Sequence, residues 1–120
     1  MTRTHRCAVI FVCSVMAWGL SSTSHLVSAA DGDAVKGKSI YQAKCVTCHG
    51  PGGKGDGPIG QQLKPPAGDF TSAKSKKKSF EDLQKIIEKG VPKTAMAAWT
   101  NQLNEAEIQD VLAYVVTLRN

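Results

Sequence analysis

The pattern of apolar and polar residues along the chain predicts a small all-α domain. Three stretches place apolar residues three and four positions apart, which is the spacing that keeps side chains on one face of a helix. They cover residues 34–46, the stretch from Ser79 to Gly90, and the stretch from Asn104 to Leu118. Since no alternating strand pattern and no internal repeat is present, we expect about three main helices.

Each predicted helix has a recognisable start. Asp33 can cap the first helix, because a short acidic side chain accepts hydrogen bonds from the free N–H groups of the first turn. Ser79 with Asp82, and Asn104 with Glu107, resemble capping boxes three residues apart. The apolar faces behind these starts are Gly37, Ile40, Tyr41 and Cys45, then Leu83, Ile86 and Ile87, and finally Ile108, Val111, Leu112, Val115 and Leu118.

Residues 1–30 have the order of a secretory signal. Arg3 and Arg6 precede the apolar run Cys7–Leu20, and small and polar residues follow up to Ala30. The apolar run is shorter than the roughly 20 residues that a transmembrane helix needs. We therefore expect a cleaved signal peptide and no stable membrane insertion.

Cleavage after Ala29 or Ala30 would leave residues 31–120 as a single exported domain, which we expect in the periplasm as a monomer. Loss of Arg3 and Arg6 lowers the formal net charge from +5 to +3. This excess is mild and unlike the clustered charge of nucleic-acid-binding proteins. No nucleic-acid partner is expected.

Cys45, Cys48 and His49 form the attachment signature of a c-type haem, in which two thiols separated by two residues are followed at once by an imidazole. At a helix end the two thiols lie about one turn apart and can reach the vinyl groups of one porphyrin. His49 is then placed to bind the iron as the proximal ligand. We predict one haem c, covalently bound through Cys45 and Cys48.

Other interpretations of the same residues remain open. A structural zinc site needs a second pair of ligands, and no such pair follows His49. A thioredoxin-like dithiol needs a βαβ setting, whereas the surroundings of Cys45 are helical. A plain disulfide between Cys45 and Cys48 would not account for the adjacent imidazole of His49.

Met96 is the candidate for the second axial ligand. It is the only methionine after residue 30, and it lies in an alanine-rich loop instead of on a helical stripe. A thioether is a soft donor suited to haem iron, so we predict that His49 and Met96 are the metal ligands. The alternatives are a gap-filling methionine with an open iron site, or a lysine ligand.

A basic run follows the Pro65-Pro66 loop. Lys74, Lys76, Lys77 and Lys78 stand among small residues with no acidic residue between them. Most runs of this kind are simply solvated, and a partner-docking surface is the alternative.

The chain resembles class I c-type cytochromes over nearly all of residues 34–119. The motifs that carry this resemblance are Cys45 to Gly50, Gly57-Pro58 with Leu63, Gly90 to Pro92 leading to Met96 and Trp99, and Asp110 to Tyr114. The resemblance implies an all-α fold wrapped around one haem. It also implies that Gly37 packs against Tyr114, and that Pro58 lies at the cofactor and accepts a hydrogen bond from His49.

The resemblance implies a protein that carries single electrons between redox protein partners and is not itself an enzyme. A dedicated electron-transfer subunit of a periplasmic oxidoreductase is one alternative. A haem-based gas sensor, in which Met96 is displaced by the gas, is another.

Overall fold

The computed structural model describes residues 32–120, which form a set of helices joined by loops. In chain order they are α1 (Ala34–Lys44), α2 (Val46–His49), α3 (Ala73–Lys76), α4 (Phe80–Lys89) and α5 (Glu105–Thr117). A 3-10 turn at Gly60–Gln62 lies between α2 and α3. No strand occurs within residues 32–120, and α1, α4 and α5 are much longer than the rest. The predicted all-α class with three main helices is confirmed.

The predicted signal peptide lies outside the described residues. Within residues 32–120, no helix has both the length and the apolar character that crossing a membrane requires.

The three long helices begin where their capping residues predict. The carboxylate of Asp33 accepts hydrogen bonds from two backbone N–H groups in the first turn of α1, at 2.9 and 3.2 Å. Ser79 with Asp82, and Asn104 with Glu107, form complete capping boxes in which side chain and backbone bond reciprocally. These local signals set where α1, α4 and α5 start.

The first helix ends earlier than the sequence indicates. We expected it to reach Val46, but α1 stops at Lys44, and Cys45 (φ −114°, ψ −31°) separates it from α2. The loop after α2 bonds to this short helix, since the N–H groups of Gly57 and Ile59 each donate to one of its carbonyls at 3.2 Å. These contacts come from residues about ten positions away, so the helical pattern alone could not indicate them.

The core forms where α1 crosses α5. Tyr41, Leu103, Ile108, Val111 and Val115 make one buried cluster, with Ile40, Cys45, Val46, Phe70, Ile87, Trp99, Tyr114 and Leu118 packed against it. The apolar stripe predicted for α5 is therefore confirmed as its buried face. The cluster also reaches the cysteine motif, because Cys45 and Val46 lie at its edge.

Gly37 allows the close approach of α1 and α5. A Cβ atom at Gly37 would collide with the backbone carbonyl of Asp110. Tyr114, one turn further along α5, packs edge-on against the ring of Tyr41, with ring centroids 5.2 Å apart. The resemblance implied that Gly37 packs against Tyr114. In the structure Gly37 instead lies against the backbone of Asp110 and Val111, and the ring of Tyr114 contacts Tyr41.

We expect Gly37→Ala to destabilise the protein by about 1–3 kcal/mol, because overpacking a tight contact forces backbone shifts of that cost. Intrinsic helix propensity alone predicts the opposite sign, since alanine is favoured over glycine inside a helix. The measurement is the free energy of unfolding by denaturant. Ser39→Ala, at an exposed position of the same helix, is the control and should change stability by less than about 0.5 kcal/mol. A more stable Gly37→Ala protein would show that the helices can separate at little cost.

Candidate functional site

The cysteine motif forms a single turn of helix. The N–H of His49 donates to the carbonyl of Cys45 at 2.9 Å, which brings both thiols and the imidazole into one turn. Cys45 and Cys48 are half-buried and free, with no disulfide between them. The structure therefore brings together three of the predicted site residues.

Apolar surroundings affect the chemistry of Cys45. Burial raises the pKa of the Cys45 thiol to about 11, with a smaller contribution from the neighbouring Cys48. The thiol is consequently protonated and uncharged at neutral pH. A neutral thiol beside the core suits contact with a large apolar ring such as a porphyrin.

The imidazole of His49 is oriented by a backbone carbonyl. Its Nδ1 lies 3.0 Å from the carbonyl oxygen of Gly68, and because a carbonyl only accepts, Nδ1 carries the proton. The other ring nitrogen, Nε2, then presents its lone pair. Burial lowers the pKa of His49, although the bond to Gly68 acts in the opposite direction, so the neutral, metal-binding form is favoured. The donor chemistry fits an axial haem ligand.

The partner of His49 differs from the one that the resemblance implied. We expected the carbonyl of Pro58 to accept this hydrogen bond, but the acceptor is Gly68. The carbonyl of Pro58 instead accepts a hydrogen bond from Nε2 of Gln62 at 3.2 Å. The loop from Gly50 to Pro58 folds back against α2, and the carbonyl that reaches the imidazole comes from Gly68, two residues after Pro66.

Phe70 is a site residue that the sequence analysis missed. Its ring stacks on the imidazole of His49, with centroids 4.6 Å apart and planes 20° apart, and its edge faces Tyr41 at 6.4 Å. The backbone N–H of Phe70 donates to the carbonyl of Gly53 at 2.7 Å. The imidazole of His49 is thus held by a hydrogen bond at one nitrogen and by an aromatic ring against its face.

A tight turn around Asp69 fixes the positions of Gly68 and Phe70. The carboxylate of Asp69 accepts hydrogen bonds from the hydroxyl and the N–H of Thr71, both at 2.7 Å, and these bonds lower its pKa. An aspartate followed two residues later by threonine is a local turn signal. That signal could have indicated the turn, but it could not have indicated the contact with His49.

The glycine-rich loop closes over the other end of the motif. The N–H of Gly55 donates to the carbonyl of His49 at 2.9 Å, and the buried hydroxyl of Tyr41 donates to the carbonyl of Gly50 at 2.7 Å. These bonds satisfy backbone groups at the end of α2 that would otherwise lack partners. The loop and the core thereby fix the orientation of the cysteine turn.

Met96 lies on a different segment, the loop between α4 and α5. It is half-buried, its N–H donates to the hydroxyl of Thr94 at 3.1 Å, and its carbonyl accepts from the N–H of Val91 at 2.8 Å. Gly90 adopts a positive φ of 69°, and a Cβ there would collide with the carbonyl of Met96. The loop is therefore a compact, internally bonded turn that presents Met96 at a fixed place.

Trp99 connects this loop to the core beside the cysteine motif. The N–H of Trp99 donates to the carbonyl of Ile87 at 3.0 Å, and its indole packs against the same core cluster as Cys45. The ammonium of Lys44, the residue before Cys45, lies 5.8 Å from the centroid of the indole ring. The loop that carries Met96 and the turn that carries Cys45 therefore border one core.

No group of three or more His, Cys, Asp and Glu side chains is placed to hold a metal ion within residues 32–120. A zinc site of the usual composition needs such a group. The donors of the described residues suit a porphyrin that brings four ligands of its own, because only the axial positions then need protein atoms.

Comparison with protein families also supports a haem-binding site. The family model described as cytochrome C oxidase, cbb3-type, subunit III matches residues 32–115, which is most of the chain. The chain belongs to this family. It is thus a c-type cytochrome domain, which implies covalently bound haem c and a role in electron transfer.

Solved structures of c-type cytochromes share the fold. The KustC0563 c-type cytochrome is 26% identical with a TM-score of 0.61, and the match covers 70% of this chain and 98% of that one. A chain of the reducing HAO-like protein complex Kustc0457/Kustc0458 of Kuenenia stuttgartiensis is 25% identical with a TM-score of 0.62. That match covers 74% of this chain and 43% of the other, so the cytochrome domain spans less than half of the complex's chain. No curated protein sequence gives a significant match.

Proposed function

We propose that this c-type cytochrome carries single electrons between redox proteins through one haem c, attached by Cys45 and Cys48 and ligated by His49 and Met96. The observation that carries the proposal is the state of His49. Its Nδ1 is committed to the Gly68 carbonyl, which leaves Nε2 for the iron one residue after the second thiol. This is how histidine ligands are commonly oriented and tuned at metal centres.

The bound haem supplies a one-electron redox couple. The side chains around the haem determine whether that couple serves electron transfer or the binding of a substrate. His49 and Met96 would hold the haem iron as its two protein ligands, which would leave no open site for a substrate, and a thioether ligand would raise the reduction potential. The carbonyl of Gly68 makes the imidazole a stronger donor to a metal by accepting a hydrogen bond from its Nδ1–H. Phe70, stacked on the imidazole, would hold the plane of the ring fixed for ligation.

The place of action belongs to the same proposal. Residues 1–30 act as a signal peptide that is removed after Ala29 or Ala30, and the mature domain works in the periplasm as a monomer that has no enzymatic activity of its own. Covalent attachment through two thioethers suits this location, since a cofactor lost outside the cytoplasm is not easily replaced. Pro58 lies in the loop that borders the haem.

An optical spectrum of the oxidised and reduced protein tests the proposal. We expect low-spin iron in both states and a haem that remains with the polypeptide after denaturation, because two strong axial ligands and two thioethers predict this. Apoprotein without the cofactor serves as the baseline. High-spin iron in either state would contradict ligation by both His49 and Met96, and haem extracted by denaturation would contradict covalent attachment.

A second candidate function is favoured by one comparison. One similar chain is part of a protein complex and is more than twice as long as the matched region. By analogy, this cytochrome could serve one oxidoreductase as a dedicated electron-transfer subunit. Co-purification of the exported protein with a single enzyme at physiological salt would favour the subunit, and its isolation as a monomer would favour a diffusing carrier.

A further inference from the structure

The basic run of the sequence forms a defined surface. The basic turn, residues 74–78, comprises the last three residues of α3 and the two residues after it. Lys74, Lys76 and Lys77 are exposed and Lys78 is half-buried, whereas Ser75 points inward and is only 8% exposed. The lysines are thus displayed on the outside of a turn whose inner side is packed.

Arg119 holds the basic turn to the end of α5. Its Nη2 donates to the carbonyls of Ser75 and Lys78, the latter at 2.9 Å. The hydroxyl of Ser72 caps α3 by accepting from the N–H of Ser75 at 3.2 Å. Because Arg119 is bound by carbonyls and not by a carboxylate, it stabilises the turn and adds a positive charge to it.

The charge of the basic turn is not neutralised by ion pairs. Among residues 32–120 the one salt bridge joins Lys36 and Asp33, at the start of α1. The carboxylate of Asp82 is close enough to Lys78 for the two charges to interact, but it also accepts the N–H of Ser79 as part of a capping box. Four ammonium groups and one guanidinium therefore share this surface, and within residues 32–120 none of them forms a salt bridge.

The surface is concave beside the lysines. A shallow cavity of about 310 Å³ is lined by Lys76, Lys78, Val116, Arg119 and Asn120. The ammonium groups of Lys76 and Lys78 and the guanidinium of Arg119 are donors without acceptor capacity, so they match anionic groups such as carboxylates. A row of exposed Asp or Glu side chains on another protein has the required chemistry.

The basic turn is continuous with the surroundings of His49. Phe70, which stacks on the imidazole, lies four residues before Lys74, and Leu118, which precedes Arg119, shares the space above Gly53 with the Phe70 ring. A partner bound at the basic turn would rest on the segment that contacts the proximal histidine.

We propose that the basic turn is the docking surface for a redox partner that carries an acidic patch. This inference rests on the proposed electron-carrying function and names the surface and the partner chemistry that it leaves open. Complementary charge steers encounter and fixes orientation more than it adds affinity, which suits a partner that must leave after each transfer. An anionic membrane is the less favoured ligand, because no exposed large apolar side chain stands among the lysines to enter a bilayer.

The test compares two variants of equal net charge. Lys74→Gln/Lys76→Gln/Lys77→Gln removes three charges from the basic turn. Lys38→Gln/Lys85→Gln/Lys89→Gln removes three from exposed positions on α1 and α4 and is the control. The reaction is reduction of the oxidised holoprotein by a purified flavodoxin, an acidic one-electron donor, followed by stopped flow at low and high salt. A small neutral hydroquinone is the second reductant.

We expect the basic-turn variant to react with flavodoxin at least about tenfold more slowly at low salt, and with a flatter salt dependence, since steering by charge contributes 10-fold or more. The control should slow by less than about threefold, and the hydroquinone rates should be equal for all three proteins.

Equal losses in both variants would overturn the proposal, because the whole molecular charge would then be responsible. Loss of cosedimentation with anionic phosphatidylglycerol vesicles in the basic-turn variant, with flavodoxin rates unchanged, would also overturn it and assign the surface to a membrane. A protein whose spectrum is not low-spin, or which no reductant reduces, would instead count against the proposed function itself.

Discussion

We expect Met96→Ala protein to bind carbon monoxide stoichiometrically once reduced, whereas the unaltered protein does not bind it. The thioether is the only sulfur ligand that residues 31–120 offer besides the two thiols of the attachment motif. Its loop is held by bonds at Val91 and Thr94, so removing the side chain should vacate the axial position without releasing the loop. The same variant should have a lower reduction potential, because a thioether stabilises the reduced iron. Optical titration of reduced protein with carbon monoxide is the measurement.

Two controls separate loss of the sulfur from loss of packing. Met96→Leu preserves most of the side-chain volume but removes the sulfur, and it should bind carbon monoxide as Met96→Ala does. Val91→Ala removes apolar atoms from an exposed residue of the same loop and should leave the iron closed. An unchanged spectrum of reduced Met96→Ala protein would rule out sulfur ligation. Rapid binding of carbon monoxide by the unaltered protein would favour the gas-sensor alternative.

The parts of the fold that the sequence predicts are those set by neighbouring residues. Asp33, Ser79 and Asn104 each accept hydrogen bonds within their own first turn, so each helix start could be predicted from residues two or three positions apart. The buried stripe of α5 follows from helical spacing in the same way. The resemblance to c-type cytochromes, confirmed by the family match, then supplied the arrangement of these helices around a haem.

The parts that the sequence did not indicate depend on contacts between distant residues. Gly68 is 19 positions from His49, and its carbonyl, like any backbone group, carries no sequence signal of its own. The bonds from Arg119 to the basic turn span 41 and 44 positions. In the sequence, nothing distinguishes Phe70, which stacks on His49, from an aromatic residue that only fills the core. Ligation by His49 and Met96 and attachment through the two cysteines remain predictions, which the Met96 and cysteine variants test directly.

The cysteine pair should matter to the fold as well as to the cofactor. Within residues 32–120 the buried apolar side chains are few, namely Tyr41, Leu83, Leu103, Ile108, Val111, Leu112 and Val115. A domain of this size buries only about 60% of the surface of its unfolded chain and is correspondingly marginal. Since Cys45 borders the core, a covalently attached porphyrin would extend that core with a large apolar surface. Folding and haem attachment are therefore expected to depend on each other.

We expect Cys45→Ala/Cys48→Ala to abolish accumulation of the holoprotein in cells that attach c-type haem. Without the thiols no thioether can form, and without the tethered ring the small core leaves the exported chain open to proteolysis. The measurements are haem that stays with the polypeptide on a denaturing gel and the amount of protein detected by antibody. Thr47→Ala, which shortens an exposed side chain between the two cysteines on the same helical turn, is the matched control and should retain covalent haem. Normal covalent haem in the cysteine variant would show that attachment occurs elsewhere, and normal protein amount without haem would show that the helices around Tyr41 and Val111 are stable on their own.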